Sequence, residues 1–88
     1  MKIKKKVNCP FFQKILDGDK NFELRLADWQ CQIGDILVLK EYDAIKKKYT
    51  GRELEKEITY LLKTKDLKFW TEAEIKKYGY QIIGFKNE

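Results

Sequence analysis

Lys20, Glu23 and Arg25 lie close together in the stretch DGDKNFELR, and their chemistry suits a ligand site. On an extended backbone Glu23 and Arg25 share one face, about 7 Å apart at about 3.3 Å per residue. A guanidinium offers paired donors to a phosphate or a base edge. A carboxylate accepts from an exocyclic amino group such as that of cytosine. Lys20 would meet a phosphate or, if burial favours its neutral form, act as a base or nucleophile.

The same three charges also have a structural interpretation. If the first helix covers them, each charge needs a partner, because a buried charge without one is strongly unfavourable. They would then form an internal ion-pair network that joins the helix to the rest of the fold. The sequence leaves both interpretations open.

Aromatic and basic side chains elsewhere extend the possible binding surface. Proteins that bind single-stranded RNA stack bases on aromatic rings, and this chain offers Trp29, Tyr42, Tyr49 and Trp70. Arg52 and the amino-terminal lysines are candidates for contacts to phosphates. The chain has 19 Lys and Arg against 14 Asp and Glu, a net charge of +5. This excess favours an anionic partner such as RNA or a nucleotide, and a lysine-rich solvated surface is the alternative.

The residues that are missing exclude several kinds of chemistry. The chain has no histidine, so Ser–His and Cys–His nucleophilic catalysis are excluded. Cys9 and Cys31 lack the paired spacing of a zinc site and are expected to be reduced, so we expect no metal and no cofactor. No apolar run approaches the roughly 20 residues of a membrane span, and MKIKKKV lacks the apolar stretch of a signal peptide. We therefore expect a cytoplasmic protein with no membrane partner.

Apolar spacing in the first half predicts a strand, a helix and a second strand. KIKKKV alternates like a strand with one wet face. CPFFQKIL follows as a short helix, with Pro10 in its first turn and Gly18 at its end. NFELRLA is the second predicted strand, with Phe22, Leu24 and Leu26 on its inner face.

The second half predicts three further strands and a second helix. A turn at residues 34–35 leads into an apolar strand at 36–39, buried on both sides, and a polar connection at 44–51 leads into a strand at about 52–62. Thr71 and Glu74 form a capping box for the helix, which Gly79 ends, and YQIIGFK is the last strand. The 88 residues form one domain, 1–88, with an α+β fold: a small five-stranded β-barrel with two short helices.

Four stretches of the chain resemble the ASCH domain family of the PUA-like superfamily: ILDGDKNFELR, QIGDILVLKEYD, YTGRE with ITYLL, and GYQIIGF. The resemblance covers about residues 9–85. It implies a PUA-like barrel associated with RNA, with a cleft between the first helix and the barrel. The family's motif positions here are Gly18, Lys20, Glu23 and Arg25, with Gly34 and Asp35 in the turn.

Some ASCH proteins of similar length are amidohydrolases that act on acetylated cytidine, so the resemblance also implies a possible activity. Those enzymes pair the motif lysine with a threonine three residues later and with a later glutamate. Here Lys20 matches the lysine and Glu23 occupies the threonine position, which makes these two the catalytic candidates. Glu72 and Glu74 are among the candidates for the later glutamate.

Three hypotheses follow. The first is binding of RNA or a nucleotide in the cleft, the second is hydrolysis of acetylated cytidine, and the third is a domain whose charged face only stabilises the fold. The residues assigned to binding under the first hypothesis are Lys20, Glu23, Arg25, Trp29, Tyr42 and Arg52.

Overall fold

The computed structural model describes residues 1–85 and has a small α+β fold built on an open three-stranded sheet. Strand β2 is central; it pairs in parallel with β1 and antiparallel with β3. No helix within these 85 residues combines the length and apolar character that a membrane crossing requires. The elements in chain order are β1 Lys2–Asn8, α1 Cys9–Leu16, β2 Ile36–Asp43, β3 Lys48–Glu57, a 3-10 turn Thr64–Asp66, and α2 Glu72–Tyr78.

Helix α1 packs on one face of the sheet and closes the core. Its residues Phe12 and Ile15 form a buried cluster with Val7 of β1 and Leu39 of β2. Leu54 of β3 packs at the margin of this cluster, because it lies opposite Leu39 in the ladder. Side chains alternate between the two faces of a strand, so residues 6 and 40 point away from α1.

Most of the predicted local features are confirmed. Pro10 lies in the first turn of α1, and the chain turns after the helix through Gly18, whose φ is +84°. Thr71 and Glu74 form the capping box of α2, and Gly79 follows that helix with a φ of +67°. These features depend on neighbouring residues only, which is why the sequence predicts them.

The predicted PUA-like five-stranded barrel is wrong, because the described residues form three strands in an open sheet. Residues 21–27 form no strand, and Leu24 and Leu26 are 67% and 80% exposed, so the predicted inner face does not pack inward. The segment meets the sheet through a side chain instead: Arg25 Nη2 donates to the backbone carbonyl of Lys6 in β1.

The predicted terminal strand is also absent over residues 80–85, and its last residue, Lys86, lies outside the described part of the chain. This segment does approach residues 21–22. A Cβ at Gly84 would lie 3.0 Å from a ring carbon of Phe22, so a larger residue there would need this ring to move by a few tenths of an ångström. Two segments predicted as strands therefore meet by side-chain packing and without a backbone ladder.

Strand β3 begins earlier than predicted, at Lys48 and not near residue 52, and ends at Glu57 and not near residue 62. The hairpin turn is short because the carboxylate of Asp43 accepts from the backbone N–H groups of residues 45 and 46, each at 3.0 Å. Beyond it the register shifts: Tyr42 lies opposite Tyr49, whereas Lys40 lies opposite residue 53. Residues 50–52 thus form a bulge opposite residue 41, and Gly51 within it has a φ of +97°.

Gly51→Ala is expected to destabilise the protein, because a residue with a Cβ loses about 1–2 kcal/mol in the left-handed region. Crowding is not the reason, since nothing lies within 4 Å of a Cβ built at this position. The midpoint of urea unfolding should fall. Lys56→Ala, at an exposed position of the same strand, is the control and should change it little. An unchanged midpoint for Gly51→Ala would contradict a bulge held in this conformation.

Candidate functional site

The structure brings Lys20, Glu23 and Arg25 together in one network. Lys20 Nζ lies 2.8 Å from Glu23 Oε1, and Arg25 Nε donates to Glu23 Oε2 at 2.9 Å. Their side chains are 18%, 17% and 30% exposed, so they are partly sheltered from solvent. One carboxylate lies between two cations, and the network keeps a net positive charge.

Two elements hold this charged network in place. At α1, Lys20 Nζ lies 5.8 Å from the ring centroid of Phe11, and it lies 4.8 Å from that of Phe22; both distances are within the range of a cation–π contact. At β1, Arg25 donates to the carbonyl of Lys6. The network therefore sits where the segment after α1 meets the edge strand of the sheet.

A pair of tyrosines occupies the sheet face opposite α1, at the hairpin end. Tyr42 and Tyr49 meet edge to face, with ring centroids 5.2 Å apart and planes at 75°. Lys6 Nζ lies 4.3 Å from the Tyr42 centroid, and Lys40 Nζ lies 5.4 Å from that of Tyr49. Tyr49 is 53% exposed, so solvent reaches its ring. We call these four residues the tyrosine platform.

Lys6 connects the network to the tyrosine platform. Its backbone carbonyl accepts from Arg25, while its side chain reaches the ring of Tyr42. The network and the ring of Tyr42 thus both contact the same residue of the edge strand β1.

A second polar cluster, which the sequence reasoning missed, surrounds Glu41 on the α1 side of the sheet. Glu41 is only 4% exposed. Arg52 Nε and Nη2 each donate to its carboxylate at 2.9 Å, and Thr50 Oγ1 donates at 2.6 Å. Arg52 also donates to Gln13 Oε1 of α1 at 3.1 Å, which ties the helix to the strand. The bulge at Gly51 lets both Thr50 and Arg52 reach the same carboxylate.

The cluster holds the pKa of Glu41 at about 2, below its ordinary value of 4.5. The hydrogen bonds from Arg52 are the largest cause and the Thr50 hydroxyl is the next, while burial opposes them. Two sequence signals point to this cluster: Glu41 follows the buried Leu39 by two residues, and Gly51 interrupts a strand. Arg52, predicted to contact phosphates, has its paired donors bound to Glu41.

The remaining predicted binding residues lie apart from this surface. Trp29 packs against Lys5, whose Nζ lies 3.8 Å from the ring centroid. Lys5 alternates with Lys6 along β1 and so points to the α1 side of the sheet. Trp70 lies beside α2, with its ring 6.1 Å from that of Tyr80. The six residues assigned to binding therefore do not form one cleft.

The predicted cleft between α1 and a barrel is replaced by the partly exposed surface around Lys6. Two concavities, of about 340 and 460 Å³, lie instead beside α2, on either side of Trp70 and Tyr80.

The later glutamates suggested by the amidohydrolase resemblance also belong to α2. Glu74 Oε1 accepts from the backbone N–H and the hydroxyl of Thr71, and no hydrogen bond within residues 1–85 joins Glu72 or Glu74 to the network.

The surroundings of the Cys9 thiol disfavour its reactive thiolate form, and the described residues contain no metal-binding group. Cys9 and Cys31 are free, and burial together with the nearby carboxylates of Glu41 and Asp43 raises the pKa of the Cys9 thiol. A thiol of this kind stays protonated at neutral pH, so it is a poor nucleophile. No group of three metal-binding side chains occurs in residues 1–85.

Comparisons with known proteins give a family and one relative. The model of the family described as Domain of unknown function (DUF3850) matches residues 3–85. The uncharacterised 12.9 kDa protein in the GpA 3′ region of Escherichia phage P2 is 34% identical over 67 residues, which cover 76% of this chain and 57% of the relative. The chain thus spans little more than half the length of that relative. No solved structure matches the chain.

Arg52→Lys is expected to make the protein more sensitive to acid. The lowered pKa of Glu41 contributes stability that is present above pH 4.5 and is lost as the pH falls toward 2. Lysine keeps the charge but not the paired donors, so the pKa of Glu41 should move back toward 4.5 and the acid-unfolding midpoint should rise. Circular dichroism between about pH 2 and 5 measures this midpoint.

The control for this prediction is Lys2→Ala, which breaks the exposed ion pair with Glu55, 3.1 Å long. Exposed pairs contribute little, so its acid midpoint should match that of the parent. If Arg52→Lys also matched the parent, the pairing of Arg52 with Glu41 would not be what protects the carboxylate.

Proposed function

The chain belongs to the DUF3850 family, a domain of unknown function, and for this member we propose that it binds single-stranded RNA across the charged network and the tyrosine platform. The observation that carries the proposal is the double role of Lys6. Its carbonyl anchors Arg25 and its ammonium lies against Tyr42, so groups that attract phosphate and groups that stack on bases adjoin.

The cations of this surface supply the phosphate contacts. Lys20 and Arg25 share the single carboxylate of Glu23, which leaves one excess positive charge in the network, and Lys6 and Lys40 add two more. A chain with a net charge of +5 also attracts a polyanion at longer range. Binding of this kind releases counterions and weakens steeply as salt is added.

The tyrosines supply the stacking. A base can stack on a ring only if it is unstacked from its neighbours, which favours a single strand over a duplex. Tyr49 offers a ring that is 53% exposed, and Tyr42 supports it from the neighbouring strand. Glu23 accepts from two cations, so in this proposal it positions them and does not read a cytosine amino group.

RNA is preferred to DNA in the proposal because of the resemblance of the chain to ASCH domains. The proposed location is the cytoplasm, where the free thiols of Cys9 and Cys31 remain reduced. A labelled single-stranded DNA of the same length is titrated beside the RNA in the experiments that follow.

Tyr49→Ala is expected to weaken binding of a fluorescein-labelled 12-nucleotide RNA by about 5-fold or more, because stacking on an aromatic ring contributes about 1–3 kcal/mol per base. Fluorescence anisotropy at low salt measures the affinity. The matched control is Tyr78→Ala, which removes an exposed tyrosine of α2 that also lies against a lysine, Lys77, at 5.1 Å. Equal affinities of the two variants would contradict stacking on the platform.

Arg25→Ala is expected to weaken RNA binding and to reduce the salt dependence by about one phosphate contact. Lys76→Ala on α2 is the control for loss of one charge. The melting temperature is measured in parallel. A lower melting temperature with unchanged RNA affinity would show that the network is only structural, and absence of binding to any labelled strand at low salt would refute the proposed function.

A further inference from the structure

Three aromatic residues are among the seven that line a concavity of about 340 Å³ beside α2. Trp70 and Tyr80 form one wall, meeting edge to face with centroids 6.1 Å apart and planes at 66°. Tyr78, from the last turn of α2, completes the aromatic lining. The three residues are 52%, 45% and 74% exposed respectively, so a solute can reach them from solvent.

Glu74 is the charged member of this lining. The backbone N–H and hydroxyl of Thr71 donate to its Oε1, and these hydrogen bonds lower the pKa of Glu74, so the carboxylate is ionised at neutral pH. Within residues 1–85 its Oε2 accepts no hydrogen bond. The concavity thus combines π faces with a fixed negative charge.

The concavity on the other side of Trp70 has a different character. It measures about 460 Å³, and Lys65 and Lys68 line it together with Glu72. The two concavities share Trp70, Ile75 and Tyr80 as a wall. No lysine is in the lining of the first, although Lys77 Nζ lies 5.1 Å from the ring centroid of Tyr78. A cation is therefore favoured on the Glu74 side and disfavoured on the other.

We propose that the Glu74 concavity binds a methylated ammonium group. Aromatic faces attract cations through their quadrupoles, with tryptophan the strongest, and aromatic cages recognise quaternary ammonium ions for this reason. A primary ammonium is strongly hydrated, whereas methyl groups reduce its hydration and present an apolar surface to the rings. The volume of about 340 Å³ leaves room for a trimethylammonium head group. The site shares no residue with the surface proposed for RNA.

The test uses fluorescence of Trp70 in a Trp29→Phe background, where Trp70 is the sole tryptophan of the chain. Tetramethylammonium, choline and trimethyl-lysine are titrated separately, and 3,3-dimethylbutanol serves as a neutral compound of the same shape as choline. The cations should give saturable changes with millimolar Kd, and the neutral compound should bind about 5-fold or more weakly. Tighter binding of choline would indicate a head-group ligand, and tighter binding of trimethyl-lysine a modified protein.

Glu74→Gln tests the role of the carboxylate without removing the helix cap, because glutamine serves the same third position of a capping box. This variant should bind the cations about 5-fold more weakly, and its affinity for the neutral compound should be unchanged. The matched control is Glu72→Gln, because Glu72 lies two residues before Glu74 on α2 and is outside this lining. Tyr80→Leu should weaken the binding of the cations and leave the helical circular dichroism signal unchanged.

Two results would overturn the inference. Equal affinity for choline and 3,3-dimethylbutanol would show that the concavity selects apolar shape and not charge. Absence of saturation by any of the cations up to about 100 mM would show that the concavity is not an ammonium site.

Discussion

The pairing of the buried Glu41 with the half-exposed Arg52 is the interaction on which the rest of the arrangement depends. A carboxylate at the margin of so small a core needs a partner that satisfies both of its oxygens, because a lone buried charge is strongly unfavourable. The guanidinium does this with paired donors, and the bulge at Gly51 adds the hydroxyl of Thr50. The contact between Arg52 and Gln13 then ties α1 to β3.

The same bulge determines which side chains are neighbours on the opposite face of the sheet. If the pairing of Lys40 with Glu53 continued without interruption, Tyr42 would lie opposite Gly51, and the rings of Tyr42 and Tyr49 would not meet. The shift in register that lets Thr50 join Arg52 at Glu41 is thus also the shift that forms the tyrosine platform. Stability on one face and the proposed binding surface on the other have one structural cause.

Predictions that depend on adjacent residues are confirmed, whereas predictions that depend on contacts between distant segments are wrong. The helix boundaries at Gly18 and Gly79 and the capping box of α2 depend on adjacent residues, and they are confirmed. The barrel required segments 21–27 and 80–85 to find strand partners far away in the chain. Alternation of residue types in NFELRLA resembles a strand, yet Leu24 and Leu26 remain exposed and Glu23 is sheltered, because its two ion pairs orient that side chain.

The sequence by itself excluded Ser–His and Cys–His catalysis, because the chain has no histidine. It also determined the two helices and the first two strands of the sheet. The proximity of Lys20, Glu23 and Arg25 follows from the sequence too, because a short segment after a tight turn brings them together. Only the tertiary structure decided that Arg52 binds Glu41, that Tyr42 meets Tyr49, and that Lys6 joins the network to the platform. The physical reason is that strand register and the meeting of distant segments depend on packing across the whole sheet, and a shift of one bulge changes which side chains are neighbours.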